Sequence, residues 1–232
     1  MSRRDRLRTQ TSGEIKAIAM KLMADGGPGA ISLRAIAREM GMTAGAIYSY
    51  FATRDDLITA LIGDVYTSAV DAAEAARDAV PDTDPGGRIL AWAQAMREWA
   101  LANPEGFRLV YGDPVPGYRP PDDGGPGKQA EARACSGLFG LVAAAWPAAQ
   151  ACRSEDRAYR WADFDPDLAA HVRKDFPDLP PSGVALTLRV WGRMHGLIAL
   201  EIYGHLRGLI HDPAAVYRDE MRDLIASLGL KS

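Results

Sequence analysis

Apolar residues recur three and four positions apart along this chain rather than in alternation, and alanine is abundant while β-branched runs are scarce. Residues at i, i+3, i+4 and i+7 share one face of an α-helix, whereas a half-buried strand needs a period of two. The spacing therefore predicts an all-α protein, and no hairpin-like pair of strands competes with it.

Glycine and proline punctuate the pattern. Helix signals run from about Ser12 to Ala24, Ser32 to Met40, Thr43 to Phe51 and Asp55 to Ala79, separated by Gly26-Gly27-Pro28-Gly29, Gly41 and Ala52-Thr53. After a break from Pro81 to Gly87, an amphipathic segment carries Ile89, Trp92, Met96 and Trp99 until Asn103-Pro104 stops it, with a brief helix to follow. Gly112 to Gly127 reads as a long surface loop, and an alanine-rich helix from about Lys128 to Trp146 is ended or kinked by Pro147. Residues 153–182 show weak periodicity and four prolines, before two final helices, Val184 to Leu206 and Pro213 to Leu228. The expectation is about nine helices: a three-helix N-terminal domain over residues 1–58 and a larger helical domain over 59–232.

Charge sharpens that division. Residues 1–54 hold nine Lys/Arg against four Asp/Glu, while 55–232 hold eighteen against twenty-six. Positive charge gathered at one end of an acidic chain suits a local polyanion contact, although a solvated basic terminus explains the count as well. The 232 residues can bury a sizeable core, and Cys135 and Cys152 are the only cysteines, so no disulfide framework is needed. With no leader at Met1 to Gln10 and no long uncharged apolar run, the expected location is the cytoplasm, without a membrane contact.

The segment Ser32 to Tyr48 has the anatomy of a helix-turn-helix. Ser32 can cap a helix whose Leu33, Ile36, Ala37 and Met40 share a buried face. Gly41 can take the left-handed conformation that ends it, and Thr43 can cap the next helix. Ile47 and Phe51, one turn apart, anchor that second helix and leave Ala44, Gly45, Tyr48 and Ser49 outward.

These residues resemble the TetR family of regulators, on Gly41, Thr43, Tyr48-Ser49-Tyr50-Phe51 and Arg54-Asp55-Asp56-Leu57, over residues 11–62. The resemblance implies that Thr43, Tyr48, Tyr50 and Arg54 contact phosphates and that Ala44, Gly45 and Ser49 lie nearest the base edges of double-stranded operator DNA. Ser32 and Arg34 complete the candidate DNA-contacting set. Hydroxyls and a guanidinium suit phosphate oxygens, and small residues let a helix backbone approach the groove floor. Ala44 departs from the longer polar residue common in the family, so direct base readout is thin and DNA shape or Arg3, Arg4, Arg6 and Arg8 could add to it. Those arginines are either a contacting arm or a disordered tail.

Beyond this region, Val184, Leu188, Trp191, His195, Ile198, Ile202 and His205 advance by alternating fours and threes along one side of a helix. Trp191 to Gly196 resembles the Trp-x-x-x-His-Gly (WHG) signature of one class of TetR-family C-terminal domain, which implies that the last two helices form a homodimer interface. The other reading is an intrachain core seam. For a small apolar effector, the candidates are Trp92, Met96, Trp99, Phe107, Tyr111, Phe139 and Trp146 with His195, although such stripes are more often simple packing. His195 has no Cys or carboxylate at metal-site spacing, so neither a metal nor a cofactor is expected.

An enzyme is not expected. Asp163, Asp165 and Asp167 with His171 lack the Gly and distal Glu of a calcium loop, and a loop or helix cap explains them. Gly124 to Lys128 fails as a phosphate loop because Asp122 and Gln129 stand where a glycine and a hydroxyl residue are needed. The resemblance implies a repressor released by a small, largely apolar effector, against an activator or a helical interaction module without one.

Overall fold

The computed structural model describes residues 2–122, 125–152 and 159–231. Among them it holds ten α-helices and no strand: α1 (Arg3–Gly26), α2 (Leu33–Glu39), α3 (Ala44–Tyr48), α4 (Arg54–Asp78), α5 (Pro85–Ala102), α6 (Pro104–Tyr111), α7 (Gly125–Ala151), α8 (Pro166–Asp175), α9 (Pro181–Ile202) and α10 (Pro213–Ser227). Two 3₁₀ turns, Pro28–Ala30 and Trp161–Asp163, join them.

Three features depart from the periodicity reading. The first helix begins at Arg3, because Ser2 and Asp5 form a reciprocal capping box that satisfies its first amides. The helix α8 occupies a stretch whose prolines suggest irregular chain; Pro166 sits in its first turn, where a missing N–H costs nothing, and Asp165 caps it. Pro147 lies inside α7, which continues to Ala151.

The chain forms two compact units, residues 1–68 with 103–131 and residues 69–102 with 132–232. In the first, Ile15, Ala19 and Met23 of α1 bury against Leu33, Ile36 and Ala37 of α2, Ile47 of α3, and Leu57, Ile58 and Leu61 of α4. Leu109 of α6 and Val115 of the following loop belong to the same core, and α6 packs on α1. Burial of this many aliphatic side chains, at about 1.5–3 kcal/mol each, is what holds such short helices in place.

In the second unit, α5, α9 and α10 pack on one another. The Tyr217 hydroxyl donates to the Ala93 carbonyl at 3.0 Å, and Arg97 donates two bonds to the Glu201 carboxylate, at 2.9 and 2.7 Å. By length and composition α7 is apolar enough to cross a membrane. Its Leu138, Phe139, Leu141, Val142, Ala145 and Ala149 are buried inside this unit, as expected of a core helix.

Candidate nucleic-acid interface

The link between α2 and α3 is fixed by backbone geometry. The Gly41 N–H donates to the Arg38 carbonyl and the Met42 N–H to the Ala37 carbonyl, at 3.3 and 2.8 Å, with Gly41 at φ +64°. This is a Schellman ending, which needs the left-handed conformation that glycine adopts without strain. The Ser32 hydroxyl accepts from the Ala35 N–H at 3.4 Å, and the Thr43 hydroxyl accepts from the Ala46 N–H at 3.2 Å. Both helix starts are therefore capped as their sequence indicates.

Within α3, Ile47 is fully buried while Thr43, Ala44, Gly45, Tyr48 and Ser49 are exposed. A Cβ added at Gly45 would meet nothing within 4 Å, so the chain itself does not require glycine there. The Ser49 hydroxyl donates its proton to the Ala46 carbonyl at 2.7 Å, which leaves its lone pairs to accept from a base amino group. Arg34 is exposed on α2 and Tyr50 is half-buried against the core.

Arg54 has a different setting. Its Nε donates to the Ile31 carbonyl at 2.8 Å, Nη1 to the Pro116 carbonyl at 3.1 Å and Nη2 to the Pro28 carbonyl at 3.3 Å. These bonds tie the start of α4 to the turn before α2 and to the loop after α6. The same loop is held by the Arg119 N–H, which donates to Asp55 at 3.2 Å, and by the hydroxyl pair Thr59 and Tyr118 at 2.9 Å. Thr53 and Asp56 form a reciprocal cap at the same helix start. Nothing in the local sequence marks this clamp, because its acceptors are backbone carbonyls far along the chain.

Nor does the sequence distinguish Arg8 among the arginines of the N-terminus. Its Nη2 donates to the Ser49 carbonyl at 2.9 Å, and its guanidinium lies over the Tyr50 ring, 5.4 Å from the centroid. A cation over an aromatic face gains about 0.5–1 kcal/mol at an exposed site. It places the first turns of α1 beside the end of α3.

The effector candidates fall in different places. Phe107 and Tyr111 belong to the first unit, where their rings are 5.0 Å apart and Tyr66 packs edge-on to Tyr111. Trp92, Met96, Trp99, Phe139, Trp146 and His195 belong to the second. There Trp92 lies so close to Gly137 that a Cβ on that glycine would come within 2.5 Å of its ring, and Phe139 pairs with Phe176. The His195 ring lies tilted against that of Trp191, with centroids 5.6 Å apart, and burial pushes its imidazole pKa below the usual 6.5.

The face of α9 divides. Val184, Val190, Met194, Ile198 and Ile202 are buried, while Leu188, Trp191, Leu200 and Tyr203 remain 40–47% exposed. Gly192 and Gly196, one turn apart on the exposed side, have no atom within 4 Å of where a Cβ would stand. An open groove of about 620 Å³ between α9 and α10 is lined by Arg193, Leu197, Leu200, Val216, Asp219 and Glu220, among others.

Asp163 and Asp165 are caps: the first accepts from the Arg160 N–H, the second from the N–H groups of Asp167 and Leu168. Elsewhere Ser136 Oγ lies 3.0 Å from His171 Nε2, and His171 Nδ1 lies 3.3 Å from Asp175 Oδ2. That atom order is shared with serine hydrolases, but acyl transfer also needs donors for the oxyanion. Ser136 sits within α7, whose backbone N–H groups are engaged in helix bonds.

Residues 15–61 match the family model described as bacterial regulatory proteins, tetR family, and residues 89–224 match a tetracyclin repressor-like C-terminal domain. The chain is 32% identical over 232 residues to the HTH-type transcriptional regulators Rv1816 of Mycobacterium tuberculosis and Mb1846 of Mycobacterium bovis, covering 98% of this chain and 95% of each relative. The solved structure of a regulatory protein, SCO4313, superposes with a TM-score of 0.74 at 35% identity, covering 97% of this chain and 100% of that one. A tetR-family regulatory protein from Rhodococcus RHA1 shares the fold with a TM-score of 0.65 at 18% identity, over 95% of this chain and 98% of its own.

Proposed function

The chain belongs to the TetR family of DNA-binding transcriptional regulators, and from that premise we propose that it is a cytoplasmic repressor that grips an imperfectly palindromic operator as a homodimer and releases it when a small apolar effector binds. The observation that carries the reading is the division of α3, with Ile47 buried and Thr43, Ala44, Gly45, Tyr48 and Ser49 presented outward. Thr43, Tyr48 and Tyr50 offer hydroxyls to phosphates, Ser32 and Arg34 flank them, and Ala44, Gly45 and Ser49 approach base edges. Arg54 acts mainly by holding the reading unit together.

Exposed Leu188, Trp191 and Tyr203, with bare Gly192 and Gly196, support a twofold interface along α9 of the WHG kind. Residues 1–58 supply the reading function, and residues 59–232 supply effector binding and dimerisation. Among the effector candidates, half-buried Met96, Trp146 and His195 keep surface for a ligand, while buried Trp92, Trp99 and Phe139 would form an apolar wall. The helices α4 and α7 each contribute residues to both units, and the two sites would couple through α4, which follows α3 directly in the chain. That coupling is reciprocal, with a typical size of about 1–3 kcal/mol.

Selection of bound sequences from a random duplex pool tests the reading. An enriched inverted repeat is expected; no enrichment, or a consistently asymmetric product, would overturn it.

A further inference from the structure

The first two turns of α1 carry Arg3, Arg4, Arg6 and Arg8 against a single carboxylate, Asp5. Asp5 is turned back on the helix start: it accepts from the Ser2 N–H at 2.9 Å, and that bond holds its carboxyl below the usual pKa. Arg3, Arg4 and Arg6 are exposed and make no ion pair among the described residues. Lys16 and Lys21 further along α1 are paired, with Asp64 and Glu39, so within this helix the positive charge left uncompensated gathers in its first turns.

Its position is set by Arg8. That side chain is bonded to the Ser49 carbonyl and stacked on Tyr50, at the end of α3. Arg4 is four residues earlier and so lies on the same helix face, about 6 Å further along the axis. The chain reaches this point as a capped helix continuous with the buried part of α1, which contains Ile15, Ala19 and Met23. Three uncompensated guanidinium groups are thereby held on a rigid rod past the end of the reading helix, with little ordering cost left to be met on binding.

We propose that the N-terminal turns of α1 form a second DNA-contacting surface, in which Arg3, Arg4 and Arg6 neutralise backbone phosphates flanking the groove that α3 enters, and Arg8 is the positioning residue that aims them. This rests on the DNA-reading role of α3. It assigns to α1 a salt-dependent, sequence-independent share of affinity, one that Arg54, bonded to three carbonyls, supplies less readily.

The test compares the full-length protein with the triple variant Arg3→Gln, Arg4→Gln, Arg6→Gln, titrated over a range of salt against two labelled duplexes: a random-sequence 30-base-pair duplex and one recovered by selection. Glutamine keeps helix propensity, and circular dichroism verifies that the fold is retained. The expected result is weaker binding to both duplexes and a log–log salt slope reduced by about 0.9 for each phosphate that is no longer neutralised. The preferred sequence should not change. Arg8→Ala should reproduce part of the loss although the other three arginines remain. Wild-type protein that binds the selected duplex, with an unchanged slope and affinity in the triple variant, would overturn this inference alone. Wild-type protein that binds neither duplex would overturn it together with the reading role of α3.

Discussion

The Arg54 guanidinium donates from Nη1 to the Pro116 carbonyl at 3.1 Å, although 62 residues separate the two in the chain. Through it, and through the parallel bonds to Ile31 and Pro28, the start of α4 is joined to a loop that the sequence leaves as a plain surface connection. Replacing Arg54 by Ala leaves three carbonyls without that donor and should destabilise the protein by about 2 kcal/mol or more, since bonds to charged donors are the stronger class. Arg54→Lys retains the charge but not the forked donor geometry, so it should lose stability in urea unfolding while keeping the salt slope of DNA binding. A Lys variant as stable as wild type, together with a reduced slope in Arg54→Ala, would return Arg54 to the phosphate surface.

Tyr48 is exposed on the reading face, with 43% of its surface accessible. Tyr48→Phe removes one hydroxyl and should weaken operator binding by about 1 kcal/mol, roughly fivefold, with sequence preference retained. Binding titrations on single-base operator variants check both parts. A change in preference would place Tyr48 on a base edge instead.

Ser49 is the contrasting case. With its proton donated to the Ala46 carbonyl, the hydroxyl is oriented as an acceptor. Ser49→Ala should therefore relax preference at one position per half-site more than it lowers overall affinity. A uniform loss across the same operator variants would assign Ser49 to phosphate.

Trp191→Glu places a carboxylate on the exposed apolar side of α9, where the indole is 47% accessible. The variant should keep its helix content yet sediment as a monomer at micromolar concentration, with weaker operator binding because two half-sites are no longer engaged together. Dimeric Trp191→Glu protein would remove this face from the interface.

Burial holds the His195 imidazole below its ordinary pKa of 6.5. On acidification the unfolded chain takes up the proton first, so stability should fall as the pH drops through about 6.5 and level off below the folded value. Urea unfolding at about pH 7.5 and about pH 5.5 should show a larger loss for wild type than for His195→Asn. Equal losses would show that His195 does not contribute to acid sensitivity.

The helix-turn-helix was legible in the sequence because its determinants are local: a cap, a buried i, i+3, i+4 face and a glycine at the turn all fall within Ser32 to Phe51. The start of α1 is equally local, in Ser2 and Asp5, but the arginines between and after them read as either a contacting arm or a disordered tail. The helix α8 is hidden because its prolines read as breakers, although Pro166 stands where proline favours a helix start. The Arg54 clamp and the docking of Arg8 on Ser49 leave no periodic trace, since their acceptors are main-chain oxygens brought close only by folding. The aromatic stripe identifies apolar positions, yet does not tell that Phe107 and Tyr111 belong with the reading helices.

The incorporation of Leu109 and Val115 into the core of the first unit bears on how regulators of this design can be recombined. A chimera that joins residues 1–68 to a foreign sensor would carry away the reading helices without the side chains that complete their hydrophobic packing. To transplant DNA specificity intact, the graft must be discontinuous and take residues 103–131 as well. The same interleaving limits how freely sensor sequences can drift, because α6 and the loop after it must still fit the reading helices.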